Sequence, residues 1–233
     1  MVSDALYLTE SLRQVENDPN MFNGLGEAER ERILGCARRI EVRAGERIFS
    51  QSGEHTGIYI IVSGLARTFH LAESGKEITL GYWTPGHFIG GPELFGSGRH
   101  RGSAEAIEDM VVYQIPAREL RKLVDEIPGL AMNIIEMLVY KAKSYLELLH
   151  MLGTRSASNR LGHLLLTLSD RMGRPVEGGT LIELALTHQE MANMIGSTRQ
   201  WVATMLHRFE RDGIVRTEGS RIVITDADRL PDV

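Results

Sequence analysis

The sequence predicts an α+β protein: an N-terminal double-stranded β-roll of the jelly-roll type, then a long helix, then a compact module of two short helices closed by a hairpin. Three observations carry this. Twelve of the 24 glycines fall between Gly45 and Gly102, spaced so that short alternating runs sit between them. After Pro128 the pattern turns helical and stays so to about Leu152. Between Thr187 and Gly213 the chain reads THQEMANMIGSTRQWVATMLHRFERDG, two amphipathic stretches around a tight turn.

Length and charge frame the rest. At 233 residues with 42% hydrophobic side chains, two domains are expected. The net charge of −5 argues against indiscriminate attraction to nucleic acid. From Thr154 to Val233, however, ten arginines balance ten carboxylates, so the whole deficit lies before that point. Attraction to phosphate would then be local, supplied by Arg199, Arg208, Arg211, Arg216 and Arg221. The first twenty residues carry Asp4, Glu10, Arg13, Glu16 and Asp18 with no apolar core, and no run approaches the roughly 18 apolar residues of a membrane span. The expectation is a cytoplasmic chain that meets no membrane. Cys36 is the single cysteine, which excludes an internal disulfide and any cluster needing several thiolates from one chain; it is expected to act as a small buried hydrophobe.

In chain order, Leu25 to Ala37 reads as a helix with Glu27, Glu29, Arg30, Glu31 and Arg32 in solvent. The strands expected next are Glu46–Ser50, Gly57–Ser63, Leu65–Leu71, Lys76–Trp83 and Met110–Ile115, with Gly53, Gly64, Gly75 and Gly86 where the chain reverses, since a residue without Cβ takes positive φ freely. Gly90-Gly91-Pro92-Glu93-Leu94-Phe95 and Gly98-Arg99-His100-Arg101-Gly102-Ser103-Ala104 break that pattern. Bare glycine backbone beside an arginine lets N–H groups and a guanidinium converge on an anion, and an inert glycine-rich loop fits the same residues equally well. Candidate effector-pocket residues are Gly90, Gly91, Glu93, Arg101, Gly102, Ser103 and Tyr145.

On the long helix, Ile135, Leu138, Ala142, Tyr145, Leu149 and Leu152 step by three and four, the seam of a coiled coil, and they are the candidate dimer interface. Ile134, Leu146 and Leu148 lie off that seam and are expected to face the roll. Gly153 to Ser158 reads as a hinge, and Asn159 resumes with Leu161, Leu164, Leu165 and Leu168. The expected divisions are therefore residues 1–127 for the roll and its leading helix, 128–153 for the long helix, 154–158 for the hinge and 159–233 for the last module.

That module carries the functional signal. Thr187 and Glu190 form a capping box, Met191, Met194 and Ile195 share one face, and Gly196 sits where a left-handed residue would end the helix. Ser197 or Thr198 can cap the next helix, whose apolar face is Val202, Met205, Leu206 and Phe209. Its other face presents Arg199, Gln200, Ala203 and Thr204; guanidinium and amide are the groups able to make paired contacts to base edges. Ile214–Thr217 and Arg221–Ile224 alternate around Glu218-Gly219-Ser220 as a wing. The reading is a winged helix-turn-helix that binds double-stranded DNA, and a two-fold dimer would address two half-sites one helical turn apart.

This order of parts resembles the CRP/FNR family of bacterial transcription regulators. The residues that carry the resemblance are Gly86-His87-Phe88-Ile89-Gly90, Leu94-Phe95, Arg101 to Ala104, Pro128, Arg160 and Thr187 to Gly213. It implies a cyclic-nucleotide-binding-like roll, a homodimer, a small-molecule effector and contact with RNA polymerase. It also implies that Thr187, His188 and Gln189 touch phosphates at the start of the first helix while Arg199, Gln200, Ala203 and Thr204 face bases; Ser197 and Thr198, in the turn between, are the remaining DNA-binding candidates. Two departures qualify it. Family members usually place a Glu and, four residues on, an Arg where this chain has Gln200 and Thr204, so an operator without the usual TGTGA or TTGAT core is expected. Members that bind cyclic AMP carry a ribose-binding Glu where Gly91 stands, and two hydroxyl residues where this chain has Tyr145 and Leu146; little or no response to cyclic AMP is expected.

Other classes are weaker fits. The oxygen-sensing branch holds an iron–sulfur cluster on several cysteines, and one cysteine cannot do so. For haem, His55, His70, His87 and His100 are candidate axial ligands, with solvated or hydrogen-bonded histidines the commoner outcome, and the cofactor stays unassigned. A metal-dependent enzyme on a cupin-like roll would need His-x-His or another clustered ligand set, and the histidines are scattered singly, so no enzymatic activity is expected.

Overall fold

The computed structural model describes residues 19–91, 94–96, 98–219 and 221–230. They form two compact units: the first holds residues 19–71 and 79 to Tyr145, and the second holds Leu146 onward together with the segment Ala72–Ile78 before and at the start of the fifth strand.

The first unit opens with α1 (Glu27–Leu34), capped by the Glu29 carboxylate accepting from the Gly26 N–H at 2.8 Å. The helix is shorter than the Leu25–Ala37 expected from composition. The chain turns at Gly35 and is already extended at β1 (Arg38–Val42), a strand whose mostly polar residues conceal it in the sequence. There follow β2 (Arg47–Phe49), β3 (Ile58–Ser63), β4 (Ala66–Leu71), β5 (Glu77–Trp83), β6 (Phe88–Ile89), β7 (Ser103–Ala106) and β8 (Met110–Ile115). They pair into two four-stranded antiparallel sheets, ordered β1-β8-β3-β6 and β2-β7-β4-β5, which make the two layers of the roll.

Strand β3 shows how the layers are joined. Ile58 and Ile60 pack into a cluster with Ile33, Leu120, Leu123, Leu130 and Met137, on the helical side of the sheet. Tyr59 and Ile61 point the other way, into the space between the sheets, against Ala66, Trp83, Ala104 and Val112. A strand buried on both faces reads as an apolar run, which is what IYII is. Gly64, Gly75 and Gly86 have φ of 88°, 80° and 93°, as their places at reversals require. Gly53 does not: the left-handed residue at that corner is Ser52, at φ 63°.

Helix α2 (Ala117–Glu126) buries Leu120 and Leu123, and α3 runs unbroken from Pro128 to Thr154. Asn133 fixes its start by donating to the carbonyls of Met21 and Asn23 at 3.0 and 2.9 Å. The expected hinge from Gly153 to Ser158 is much shorter. α3 includes Gly153 and Thr154, and only Arg155 and Ser156 separate it from α4 (Ala157–Met172), because the Ser156 hydroxyl accepts from the Asn159 N–H at 3.1 Å and starts the new helix at once.

The second unit contains α4, a hairpin of β9 (Gly173–Val176) and β10 (Gly179–Ile182), α5 (His188–Ile195), α6 (Arg199–Arg211), and the hairpin β11 (Val215–Glu218) with β12 (Arg221–Ile224). Its sheet is ordered β11-β12-β10-β9, so the wing extends a sheet whose other half, β9 and β10, has no strong strand pattern in the sequence. Leu161, Leu165 and Leu168 of α4 are buried with the apolar faces of α5 and α6. No described helix is long and apolar enough to cross a membrane.

Candidate DNA-reading surface and effector cavity

The reading module is built by three local devices. The Thr187 hydroxyl accepts from the Glu190 N–H at 3.2 Å while the Glu190 carboxylate accepts from the Thr187 N–H at 2.7 Å, completing the capping box at the start of α5. Gly196 ends α5 at φ 64° and ψ 44°. Thr198 then caps α6 through the Trp201 N–H at 3.2 Å. Between the two helices the Arg160 guanidinium donates to the Ile195 carbonyl at 2.7 Å and to the Arg155 carbonyl at 2.8 Å, satisfying chain ends that a helix leaves open. Met191, Met194, Ile195, Val202, Leu206 and Phe209 are buried, which fixes the opposite face outward.

On that outward face Thr187, Gln189, Thr198, Arg199, Gln200 and Thr204 are exposed, and His188, Ser197 and Ala203 are half-buried beside them. The Thr204 hydroxyl donates to the Gln200 carbonyl at 3.0 Å, and Gln189 donates to Asn193 at 2.8 Å. Three of the five arginines assigned to phosphate attraction already have carboxylate partners. Arg208 and Arg211 lie 3.6 and 3.1 Å from Asp212, and Arg216 lies 2.7 Å from Glu218. Arg199 and Arg221 make no such pair among the described residues, so the free positive charge is concentrated at the start of α6 and on the wing. Ser220, at the wing's tip, lies outside the described residues. The wing itself is tied to α6 by Thr217 donating to Glu210.

In the roll, Gly90, Gly91, Arg101, Gly102, Ser103 and Tyr145 all line one cavity of about 370 Å³. Glu93, the remaining candidate, lies outside the described residues. Gly90 and Gly91 have φ of 137° and 89°, and a Cβ on Gly90 would come within 2.9 Å of the Gly57 carbonyl oxygen, so bare backbone is required there. Seam residues Leu138, Ala142 and Tyr145 form part of the same wall. The helix expected to join two subunits therefore also touches whatever the cavity holds.

Two features of the cavity escaped the sequence reading. The Lys141 ammonium lines it, donating to the Phe88 carbonyl at 2.7 Å and lying over the rings of Trp83 and Phe88 at 3.9 and 4.7 Å. Burial pushes it down to about 7. His100, also in the wall, stacks on Phe49 with ring centroids 4.0 Å apart and contacts His55 at 4.9 Å. Burial, then the neighbouring His55, lower its pKa and favour the neutral ring. Nothing in KAKSY or GRHRG marks Lys141 as half-buried or His100 as buried; only the folded roll brings them together.

The other histidines go elsewhere. His70 bonds the Arg101 carbonyl at 3.1 Å, and His87 packs against Trp83 and Tyr140. His55 and His100 touch each other, with ring centroids 4.9 Å apart. Cys36 is half-buried, its sulfur accepting from Arg32 at 3.2 Å. Among the described residues no three metal-ligating side chains gather.

Along α3 the exposed side chains Met132, Ile135, Leu138, Val139, Tyr145, Leu146 and Leu149 make a continuous apolar stripe. Ile134 and Leu148 are buried, whereas Leu146, expected to face inward, is 65% exposed and joins the stripe.

Comparison with known proteins agrees with this architecture. The cyclic nucleotide-binding domain model matches residues 39–126, and the Crp-like helix-turn-helix domain model matches residues 159–233. The regulatory protein HlyX of Actinobacillus pleuropneumoniae is 28% identical over 193 residues, covering 83% of this chain and 80% of that one. The fumarate and nitrate reduction regulatory protein of Escherichia coli K12 is 26% identical, covering 83% and 77%. Among solved structures, the c-di-GMP responsive global regulator CLP of Xanthomonas campestris superimposes with a TM-score of 0.77 at 21% identity, over 85% of this chain and 99% of that one. A transcriptional regulator of the crp/fnr family from Eubacterium rectale gives 0.71 at 24%, over 91% and 96%. With both domain models in their order on one chain and the helix-turn-helix built as described, the protein belongs to the CRP/FNR family of DNA-binding transcription regulators.

Proposed function

We propose that the protein is a homodimer whose two α6 helices read an operator through Arg199, Gln200, Ala203 and Thr204, under control of a small molecule bound in the roll. The observation that carries this is the exposed, unpaired start of α6, held outward by the Thr198 cap and the left-handed Gly196. Regulators of this family bind DNA as dimers. The apolar stripe on α3 supplies the surface for that pairing, since a monomer would leave Ile135 50% and Leu149 66% exposed to water.

Thr187, His188, Gln189, Ser197 and Thr198 approach the phosphate backbone from α5 and the turn, where helix N-termini favour anions. Arg199 and Gln200 supply the paired contacts of guanine and adenine respectively. With Gln200 and Thr204 in place of the usual reading pair, the operator departs from the TGTGA and TTGAT half-sites. Cyclic AMP is a poor effector, because Gly91 offers nothing to a ribose and Leu146 nothing to an adenine edge. The effector acts by favouring the DNA-competent arrangement of the dimer through α3, which requires contacts made in only one of two states. Contact with RNA polymerase and residence in the cytoplasm, where the chromosome is, complete the reading.

Selection of bound fragments from random duplexes tests it. The expected product is an inverted repeat with half-site centres about 10 base pairs apart. Recovery of sequences with no dyad, or with one of the two usual cores at full affinity, would contradict the reading.

A further inference from the structure

We infer that the roll cavity binds a small apolar monocarboxylic acid, with the carboxylate docked on the Lys141 ammonium and the apolar body against Phe49, Leu80, Ile89, Leu138 and Tyr145. This rests on the proposal that the roll senses a small molecule, and it names the chemistry of that molecule.

The charge of the wall selects an anion. Among the described residues lining the cavity, Arg101 and Lys141 carry positive charge, His100 is a neutral ring, and none is acidic. Lys141 is the informative one. Its ammonium forms no ion pair among the described residues, and its single conventional acceptor is the Phe88 carbonyl at 2.7 Å. The Trp83 and Phe88 rings offset part of the lost hydration but supply no charge. A cation placed in apolar surroundings without a counter-ion is a standing electrostatic cost that one carboxylate removes.

The rest of the wall rejects a sugar or a nucleobase. Besides Arg101 and Lys141, the polar groups are the Ser103 and Thr68 hydroxyls, the Tyr145 phenol, the His100 ring and the glycine backbone, while Phe49, Leu80, Phe88, Ile89 and Leu138 supply aromatic and branched aliphatic surface. A phosphate would need several donors at once, and Arg101, the side chain suited to it, is exposed at the mouth. A single-charge head on an apolar body matches one enclosed ammonium and a greasy wall.

The position also explains how such a ligand would be felt. Leu138, Lys141, Ala142 and Tyr145 belong to α3, so a carboxylate drawing Lys141 off the Phe88 carbonyl pulls directly on the helix that carries the apolar seam. The ligand's contacts thereby differ between two settings of α3.

The test uses the full-length protein at pH 6.5, with binding followed by calorimetry and by tryptophan fluorescence, since Trp83 lies under the ammonium. The probes are 4-phenylbutyrate, its uncharged amide, phenyl phosphate and cyclic AMP. The expected result is saturable binding of 4-phenylbutyrate, at least tenfold tighter than the amide and than either phosphate. Lys141→Met should lower its affinity at least tenfold, and Lys143→Met, at an exposed lysine of the same helix that does not line the cavity, should leave it within about threefold. Thermal unfolding and retention of operator binding check that the Lys141 variant is folded. The inference is overturned by no binding of the acid, by equal binding of acid and amide, or by undiminished affinity in the Lys141 variant. Operator binding is measured separately, so failure of the DNA-reading proposal shows as lost duplex selection with ligand binding intact.

Discussion

The Arg160 guanidinium donates to the Ile195 carbonyl at 2.7 Å, so a side chain of α4 closes the open end of α5. Its second bond, to the Arg155 carbonyl at 2.8 Å, ties the same group to the two-residue break after α3. Burial lowers its pKa, yet an arginine stays charged at any working pH. One residue thus holds the break and the helix-turn-helix in register.

Arg160→Met removes two charge-assisted donors and leaves two carbonyls unpaired. The expected loss is about 2–3 kcal/mol in chemical unfolding of the second unit, with weaker operator binding. Unchanged stability would show that water replaces the guanidinium freely.

Gly196 is the second fixed point. At φ 64° a side chain is strained, and a Cβ would also come within 2.8 Å of the Leu152 Cδ2. Gly196→Ala should cost about 1–2 kcal/mol, measured by urea unfolding. Gly213, at φ 71° with open space around it, separates the two effects: the same substitution there carries the backbone strain alone. Equal losses at the two glycines would mean that Leu152 yields without cost.

The apolar stripe predicts a dimer sensitive to one charge. Leu149→Glu places a carboxylate on the seam of each subunit, and dimer dissociation by analytical ultracentrifugation should rise at least tenfold, about 1.4 kcal/mol. A dimer of wild-type strength would move the interface off α3.

Lys141 predicts a pH signature. The unfolded chain holds this proton up to about 10.5 and the folded chain gives it up near 7. Across that window the unfolded state binds more protons, so stability rises with pH, and below it the charged, buried form is at its full penalty. Other groups facing the cavity do not mimic this: burial keeps His100 neutral and raises the Tyr145 pKa, and Arg101 stays charged. In the absence of ligand, Lys141→Met should be more stable than wild type at pH 6.5, and the gap should narrow by pH 9. A constant gap in urea midpoints would remove the buried charge from the account.

What could be read before folding followed how local the determinants are. The capping box at Thr187, the left-handed Gly196 and the outward pair Arg199 and Gln200 are set within a few residues, and spacing alone placed them. β1 and the β9–β10 hairpin were hidden because Arg38, Arg39 and Arg174 take their places in strands only through neighbours far along the chain. The hinge was overestimated since Gly153 and Thr154 look like helix breakers in isolation, while the helical frame of α3 carries them and Ser156 restarts a helix at once. Arginines counted as phosphate attractors turned out to be partly neutralised by Asp212 and Glu218, partners that sequence counting sees only as net charge. The Lys141 site was illegible for the opposite reason. A lysine in a solvated helical repeat looks like any surface charge until Phe88 and Trp83, some fifty residues earlier, close over it.

Selection of bases by α6 rests on Arg199 and Gln200. Competitive gel-shift measurement with the double variant Arg199→Ala, Gln200→Ala, against a selected operator and a scrambled duplex, tests it most directly. Preference for the operator should fall at least a hundredfold, about 2.7 kcal/mol across two base contacts, while weak binding to the scrambled duplex persists. Full selectivity in the double variant would contradict it.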